Sequence, residues 1–226
     1  MLNSKLIKEI ASELSFDLCG IAPINRFIDA PNGFHPTDVY KECKSVIVFA
    51  KSVPHGPLYA SSFVPYSHIG TTVIQEVDYL TLKFTRKLED LGVKVVPIPS
   101  DDPYEYWEPD RLYGRAIISL RHAGKLAGLG VLGKNTLLIN NQFGNMIQLG
   151  AMLVDIDLAG DPIATYESCP DSCELCLKSC PVEALNGKTV SQRLCRHQSI
   201  YTHEKGYVLK RCNTCRKVCP NAFGIN

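Results

Sequence analysis

The sequence predicts an α+β protein built in two parts. An N-terminal α/β sandwich is expected over residues 1–160, where helical and strand-like hydrophobic patterns alternate. A smaller module is expected over residues 161–226, which hold eight of the ten cysteines. The chain has 226 residues, enough for one substantial hydrophobic core and a small appended module.

The elements of the N-terminal part follow from periodicity and turn residues. Residues 3–15 predict an amphipathic helix capped by Asn3 or Ser4, and residues 16–22 predict the first strand. The apolar run 45–51 predicts a strand buried on both faces. The later predictions are a loop over 53–70, a helix over 72–91 ending at Gly92, a strand over 93–98, an acidic and aromatic loop over 101–114 covering a cavity, a helix over 115–127, strands over 136–139 and 148–155, and a hinge at 160–162.

The chain shows no membrane or export signal. No apolar stretch approaches the ~20 residues of a membrane span. The N-terminus has a helical period instead of the apolar segment and cleavage site of a signal peptide. We therefore expect a cytoplasmic protein with no membrane partner.

The cysteines of the second part form two runs and one isolated residue. In order they are Cys169-x3-Cys173-x2-Cys176-x3-Cys180-Pro, then Cys195, then Cys212-x2-Cys215-x3-Cys219-Pro. A [4Fe–4S] cluster takes four thiolates, and in two-cluster ferredoxins the last cysteine of a run ligates the other run's cluster. The pattern predicts a ferredoxin-like module with two [4Fe–4S] clusters and electron-transfer chemistry.

Two alternatives remain at this stage. The paired C-x2-C units could bind structural zinc, although zinc needs only four ligands and has no use for C-x3-C-P in both runs. The gap between Cys169 and Cys173 is one residue wider than usual, and if Cys169 is not a ligand the first cluster has an open iron. Cys19 and Cys43 lie outside the runs and are expected to be ordinary buried residues.

Charge is divided unevenly along the chain. Residues 169–226 hold nine basic and four acidic residues, whereas residues 1–168 hold 15 basic and 19 acidic ones. Two oxidised clusters with their thiolates would contribute about −4, so the basic excess serves mainly as local counter-charge. This argues against a nucleic-acid patch and favours a face that docks an acidic electron donor. The basic residues concerned are Lys210, Arg211, Arg216 and Lys217.

A glycine loop precedes the predicted strand at 136–139. Its sequence GLGVLG, with glycines at Gly128, Gly130 and Gly133, matches G-x-G-x-x-G, and Asn135 stands where a P-loop has Ser or Thr. Both nucleotide fingerprints follow a strand and open a helix, whereas this loop follows a helix and leads into a strand. The glycines would let backbone amides approach a ligand, with Lys134 beside them; a tight turn without a ligand is the alternative.

Several motifs occur together in a familiar order. They are RHAGKLAGLGVLGKNTLLI at residues 121–139, Leu149-Gly150, Leu153-Val154-Asp155 and the two cysteine runs. This order resembles the epoxyqueuosine reductase family, cobalamin-dependent iron–sulfur enzymes related to reductive dehalogenases. The resemblance covers about residues 115–220, with a fainter similarity at residues 16–22.

The resemblance implies a fold, cofactors and ligands. It implies a nitroreductase-like mixed sheet in the α/β sandwich, with cobalamin between that part and the cluster module. It also implies corrin contacts near Leu138, Leu149 and Met152, in addition to the glycine loop with Lys134 and Asn135. The implied cluster ligands are Cys169, Cys173, Cys176 and Cys219 for the first cluster, and Cys180, Cys195, Cys212 and Cys215 for the second.

The sequence departs from the family in two places. The family's proton-donating aspartate lies thirteen residues before A-G-L-G, and Gly114 stands there in this chain. The sequence also ends at Asn226, before the helical repeats that help the full-length enzymes grip tRNA. We therefore expect a shorter paralogue with another substrate, and do not expect nucleic acid as a partner.

The leading functional hypothesis is a reductase. Two clusters would accept electrons from a donor such as ferredoxin or flavodoxin and pass them to a corrinoid, which would act on a small-molecule or modified-nucleoside substrate. Asp110 or Tyr113 could replace the missing acid. An electron-transfer protein without corrinoid chemistry and a flavin-binding reductase are the alternatives.

Overall fold

The computed structural model describes residues 2–225. Its helices are α1 (Ser4–Glu13), α2 (Pro36–Val39), α3 (Val64–Asp90), α4 (Leu120–Leu126), α5 (Leu175–Lys178), α6 (Gln192–Ser199) and α7 (Thr214–Lys217). Its strands are β1 (Leu18–Pro23), β2 (Ser45–Ser52), β3 (Val95–Ile98), β4 (Tyr106–Glu108), β5 (Tyr113–Arg115), β6 (Val131–Leu132), β7 (Leu138–Ile139), β8 (Ile147–Val154), β9 (Ile200–Thr202) and β10 (Val208–Lys210).

The central sheet has four strands in the order β1-β2-β8-β3, and every neighbouring pair is antiparallel. The expectation of a mixed sheet is therefore wrong for the described residues. Strands β2 and β3 do run in the same direction, as a strand–helix–strand unit requires. However, β8 inserts between them in the opposite direction, so no parallel pair forms.

The sheet is covered on both faces, which confirms the expected α/β sandwich in its coarse form. Six of the eight residues of β2 are buried, as predicted from its apolar run. Side chains on one face pack with α1 and α3, and those on the other pack with α4 and the β6–β7 hairpin. Buried members of the first layer include Ile7, Phe84 and Met152, and those of the second include Ala123, Leu138 and Leu149.

Helix α1 agrees with the sequence prediction, whereas α3 is longer than predicted. Asn3 caps α1, its side chain accepting the backbone N–H of Leu6 at 3.0 Å. Helix α3 starts at Val64, so part of the predicted loop 53–70 is helical. Proline suits a first helical turn, and a mid-helix glycine such as Gly70 costs only about 1 kcal/mol. Polar composition alone therefore gave the wrong helix start.

The predicted helix over 115–127 is shorter in the structure. Helix α4 starts only at Leu120, because residues before it pair as the hairpin β4–β5. The predicted acidic and aromatic loop 101–114 thus contains most of that hairpin. Its rings stack in the pair Tyr104–Trp107, with centroids 6.0 Å apart.

The predicted hinge at 160–162 is anchored to the sheet. The Asp161 carboxylate accepts the backbone N–H of Ile21 at 2.9 Å and a hydrogen bond from Lys8. Arg26 donates to the carbonyl oxygens of Asp161 and Leu126, at 2.7 and 2.6 Å. These contacts fix the start of the C-terminal module against β1. Among the described residues, no helix is both long enough and apolar enough to cross a bilayer.

We predict that the two cysteines outside the cysteine runs resist alkylation in the folded protein. Burial raises the pKa of the Cys19 thiol to about 12 and that of Cys43 to about 11, and the reactive species is the thiolate. Peptide mass spectrometry after iodoacetamide treatment near pH 8 should find both unmodified until the protein is denatured. Rapid native labelling of either thiol would contradict this packing.

Candidate metal centre

One cavity of about 240 Å³ is bordered by four cysteines from both runs. They are Cys169, Cys173, Cys176 and Cys219. The short helix α5 carries Cys176, and Cys219 lies just after α7. Chain segments distant in sequence thus bring four thiols to one space.

Electrostatics shows the same grouping around this first cavity. Burial raises the pKa of the Cys176 thiol, and the neighbouring thiols of Cys169, Cys219 and Cys173 raise it further. Burial likewise raises the pKa of Cys219, with contributions from Cys169 and Cys173. These thiols are therefore protonated at neutral pH unless a metal displaces the proton.

The other four cysteines of the runs form a second group. Burial raises the pKa of Cys215 to about 11, and Cys195 and Cys212 are among the charges that raise it further. Burial also raises the pKa of Cys195, together with Cys212 and Cys180. Of this group only Cys180 borders the second cavity, of about 430 Å³. The grouping therefore rests on the influence of these thiols on one another and not on one enclosing cavity. The two groups adjoin, because Cys176 of the first group also raises the pKa of Cys215.

Backbone amides already point at two of the eight sulfurs. The N–H of Lys134 lies 3.4 Å from Cys169 Sγ, and the N–H of Ala184 lies 3.2 Å from Cys180 Sγ. All ten cysteines are free thiols. Amide hydrogen bonds of this kind stabilise the thiolate form and tune the potential of a bound cluster.

The glycine loop forms the approach to the β6–β7 hairpin and packs against its own chain. A side chain at Gly128 would collide with the Pro162 carbonyl, and one at Gly130 with the Ile139 carbonyl. A side chain at Gly133 would meet the end of Ile139 at 2.6 Å. The space that the glycines leave is therefore filled by the protein, as in the alternative of a tight turn without a ligand.

Lys134 and Asn135 lie at the tip of this hairpin and face the cysteine module. Lys134 Nζ contacts three carbonyl oxygens of the segment 170–173, and Asn135 Nδ2 donates to the Cys215 carbonyl at 3.2 Å. Both residues also border the first cavity. The sequence singled out these residues for a cofactor, and the structure brings them to the cysteines.

The residues expected to touch a corrin do not share a surface. Leu138 and Leu149 are buried on the α4 side of the sheet, at 3% and 7% exposure. Met152 is fully buried on the opposite side, because residues three apart on a strand face opposite ways. No single planar ligand can contact all three in this arrangement.

The β4–β5 hairpin docks on helix α6, a contact that the sequence did not reveal. Gln192 accepts the Gly114 N–H at 3.1 Å and donates to the Gly114 carbonyl at 3.0 Å. The Arg196 guanidinium lies 4.8 Å from the Trp107 ring centroid and donates to the Tyr104 hydroxyl at 3.0 Å. A glutamine and an arginine on a short helix carry no sequence pattern that would have identified these roles.

The residues expected to supply an acid lie on the same hairpin. Asp110 is exposed in a single 3₁₀ turn, and Tyr113 is half-buried with its ring centroid 6.4 Å from that of Tyr106. Neither residue borders the two cavities described above. The structure therefore does not bring them to the cysteines.

Three of the basic residues of the module have contacts within the chain. Arg211 lies over the Tyr201 ring, with its guanidinium 4.4 Å from the centroid. Arg216 donates to the Asn145 carbonyl, and Lys210 Nζ is 3.9 Å from a carboxylate oxygen of Asp101. Arg216 and Lys210 thus tie the cysteine module to the α/β sandwich, whereas Arg211 packs within the module.

Sequence comparison with curated proteins finds similarity to epoxyqueuosine reductases. No family model matches the chain. The epoxyqueuosine reductase of Staphylococcus aureus is 38% identical over 124 residues, which is 49% of this chain and 31% of that protein. The enzyme of Leadbetterella byssophila is 28% identical over an alignment that covers 97% of this chain and 80% of that protein. The matched regions span only 31%, 41% and 27% of the first three curated relatives.

Solved structures with the same fold include two kinds of enzyme. The epoxyqueuosine reductase of Streptococcus thermophilus matches with a TM-score of 0.70 at 17% identity, covering 100% of this chain and 68% of that one. An epoxyqueuosine reductase bound to an epoxyqueuosine-modified tRNA stem loop matches with 0.63 at 17%, covering 96% and 64%. A reductive dehalogenase whose structure suggests a mechanism for B12-dependent dehalogenation matches with 0.67 at 16%, covering 95% and 31%.

These comparisons confirm the resemblance that the glycine-loop and cysteine motifs predicted. The likeness extends over nearly the whole described chain in fold, although sequence identity is highest over about half of it. This chain is similar in sequence to epoxyqueuosine reductases and shares the fold of these enzymes and of the reductive dehalogenases.

Proposed function

We propose that this chain is an iron–sulfur redox protein of the reductase type, with two [4Fe–4S] clusters in its C-terminal module. The observation that carries the proposal is a cavity bordered by four cysteines from both runs, Cys169, Cys173, Cys176 and Cys219. The thiols of Cys180, Cys195, Cys212 and Cys215 influence one another nearby. This arrangement supports the ligand sets that the family resemblance implies. The names of the relatives support a reductase, and the cysteine chemistry supports the cofactor.

The spacing of the thiols suits a cluster better than zinc. A tetrahedral zinc site draws its four ligands to one point about 2.3 Å from each sulfur. Four cysteines instead border a cavity of about 240 Å³. This arrangement fits a larger group held by thiolates on several sides.

The chain's own residues would hold, neutralise and tune such clusters. Bound [4Fe–4S] clusters supply one-electron chemistry over a wide range of potentials. Cys176 is buried and Cys215 is half-buried, which limits water around the sulfurs. Amides of Lys134 and Ala184 donate toward Cys169 and Cys180, which would raise the potentials. Basic residues of the module offset the anionic charge and suit an acidic donor such as ferredoxin or flavodoxin.

The cobalamin proposal has weaker support from this structure. A structural relative is linked to B12-dependent dehalogenation, and cobalamin is the electron acceptor that the family resemblance implies. However, Leu138, Leu149 and Met152 are buried on two different faces, and the glycine loop is covered by its own chain. We therefore assign no reaction step to a corrinoid. The burial of these expected corrin contacts favours the second candidate function, an electron-transfer protein in which the sandwich is a docking platform. A flavin-binding reductase is the third candidate function.

The substrate class stays open between a small molecule and a modified nucleoside. Charge balance alone argued against nucleic acid, but a relative with the same fold binds a modified tRNA stem loop. RNA is therefore a plausible substrate, contrary to the expectation from charge. We propose that a small molecule or a modified nucleoside is reduced at or near the β4–β5 hairpin.

We predict that anaerobically purified protein contains about eight irons and about eight acid-labile sulfides per chain. Its broad visible absorption should bleach under dithionite. Changing Cys195 to Ser should lower the iron content by damaging the second cluster alone, because no neighbouring thiol is free to replace this isolated ligand. Stoichiometric zinc, or four irons in the wild-type protein, would end the two-cluster proposal.

A binding experiment separates the reductase from the electron-transfer candidate. If a corrinoid is part of the function, the iron-loaded protein should retain hydroxocobalamin through a desalting column, with its characteristic visible spectrum. The buried state of the expected contacts leads us to predict no retention. Stoichiometric retention by protein with both clusters intact would restore the corrinoid to the proposal and show that the sandwich opens to admit it.

The acid cannot simply be restored at Gly114. A Cβ atom at this position would lie 3.1 Å from both the Trp107 and Tyr104 rings, so these stacked rings must move. We predict that Gly114→Ala destabilises the protein by about 1–3 kcal/mol and that Gly114→Asp does at least as much harm. Gly70→Ala is the matched control, because that glycine lies in α3 with open space around it and should gain stability. Urea unfolding of the three variants measures the difference; an unchanged midpoint for Gly114→Ala would contradict the packing.

A further inference from the structure

The segment between Cys169 and Cys173 is one residue wider than the usual spacing and needs a specific restraint. Its backbone makes one turn, in which the Cys173 N–H donates to the Pro170 carbonyl at 2.8 Å. A longer connection has more conformations to lose when it presents its cysteine to a metal. This turn closes residues 170–173, so it does not by itself restrain Cys169, the residue just before it.

The side chain of Lys134, from the tip of the β6–β7 hairpin, binds the backbone carbonyls of this segment. Its ammonium nitrogen lies 3.1 Å from the Pro170 carbonyl oxygen, 2.8 Å from that of Asp171 and 3.0 Å from that of Cys173. An ammonium group has three N–H donors and no acceptor, so these three bonds use its full capacity. The three carbonyl dipoles converge on one point, an arrangement that is repulsive without a cation at its centre.

Lys134 is itself held in place by the tip of the β6–β7 hairpin. The Gly133 N–H donates to the Leu137 carbonyl at 2.9 Å, and the Asn135 side chain accepts the Leu137 N–H at 3.1 Å. Arg121 donates to the Thr136 carbonyl and to its hydroxyl group. The backbone N–H of Lys134 at the same time donates toward Cys169 Sγ. One residue therefore binds both the carbonyls of the segment and the sulfur at its end.

We propose that Lys134 is the positioning residue that makes Cys169 the fourth ligand of the first cluster. This inference rests on the proposed function, because it presupposes a cluster in the first cavity. Without the ammonium group, the carbonyls of residues 170–173 turn away from one another and the segment opens. Cys169 then withdraws, leaving three cysteine ligands and one exposed iron.

The test compares Lys134→Met with Lys178→Met in anaerobically purified full-length protein. Lys178 is an exposed lysine of the same module that pairs with Glu174 at 2.8 Å, so its loss controls for charge. After mild oxidation, Lys134→Met should fall from about eight irons to about seven and show the electron paramagnetic resonance signal of a three-iron cluster. Cys169 should become open to alkylation while Cys173 and Cys176 stay protected.

Two further variants make the result decisive. Cys169→Ser should reproduce the Lys134→Met phenotype, and the double variant should lose no further iron, because both changes remove the same ligand. If Lys134→Met does not fold, Lys134→Gln keeps a hydrogen-bond donor and should show the same loss in a smaller fraction of molecules.

The outcomes separate this inference from the proposed function. If Lys134→Met or Lys134→Gln keeps all its iron with Cys169 protected, the positioning role is wrong and the two-cluster proposal stands. If the wild-type protein lacks two clusters, the result contradicts the proposed function, and the inference about Lys134 falls with it. A loss of iron in Lys178→Met equal to that in Lys134→Met would reduce the effect to general charge and would also overturn the inference.

Discussion

The C-terminal module depends on one constraint, that thiols distant in the sequence must meet around a common space. Cys169 and Cys219 lie at opposite ends of the module, yet both border the first cavity. The helices α5 and α7 have only four residues each, too few to be stable alone. Metal binding would therefore contribute to folding here as well as to chemistry. Contacts with the α/β sandwich supply the remaining support.

Two hairpins of the sandwich contribute to those contacts. The tip of β6–β7 places Lys134 and Asn135 against both cysteine runs. The β4–β5 hairpin is linked through Gly114 to Gln192 on α6, the helix that carries Cys195. The β6–β7 hairpin thus contacts both thiol groups, and the β4–β5 hairpin adds a link to the helix that carries Cys195. Such an arrangement can hold two redox centres in fixed positions relative to the sheet, which efficient electron transfer requires.

The sequence predicted the features whose causes are local or countable. The cysteine pattern predicted that thiols from both runs meet around one space, and apolar patterns predicted β2 and α1. The direction of β8 between β2 and β3 could not be predicted, because it depends on long-range pairing. The start of α3 was wrong because Pro, Ser and Gly residues also suit a first turn and a helix interior. The contacts of the glycine loop were hidden from the sequence, because no pattern reveals that Lys134 reaches carbonyls more than thirty residues away.

We propose that the cysteine module is a two-cluster electron-transfer unit, whether or not the sandwich binds a further cofactor. Mössbauer spectroscopy of anaerobically purified protein grown on enriched iron tests this most directly, since it counts every iron by its cluster type. The account predicts that nearly all iron belongs to [4Fe–4S] clusters, at about two clusters per chain. A spectrum of mononuclear tetrathiolate iron, or of a single cluster per chain in intact protein, would contradict it.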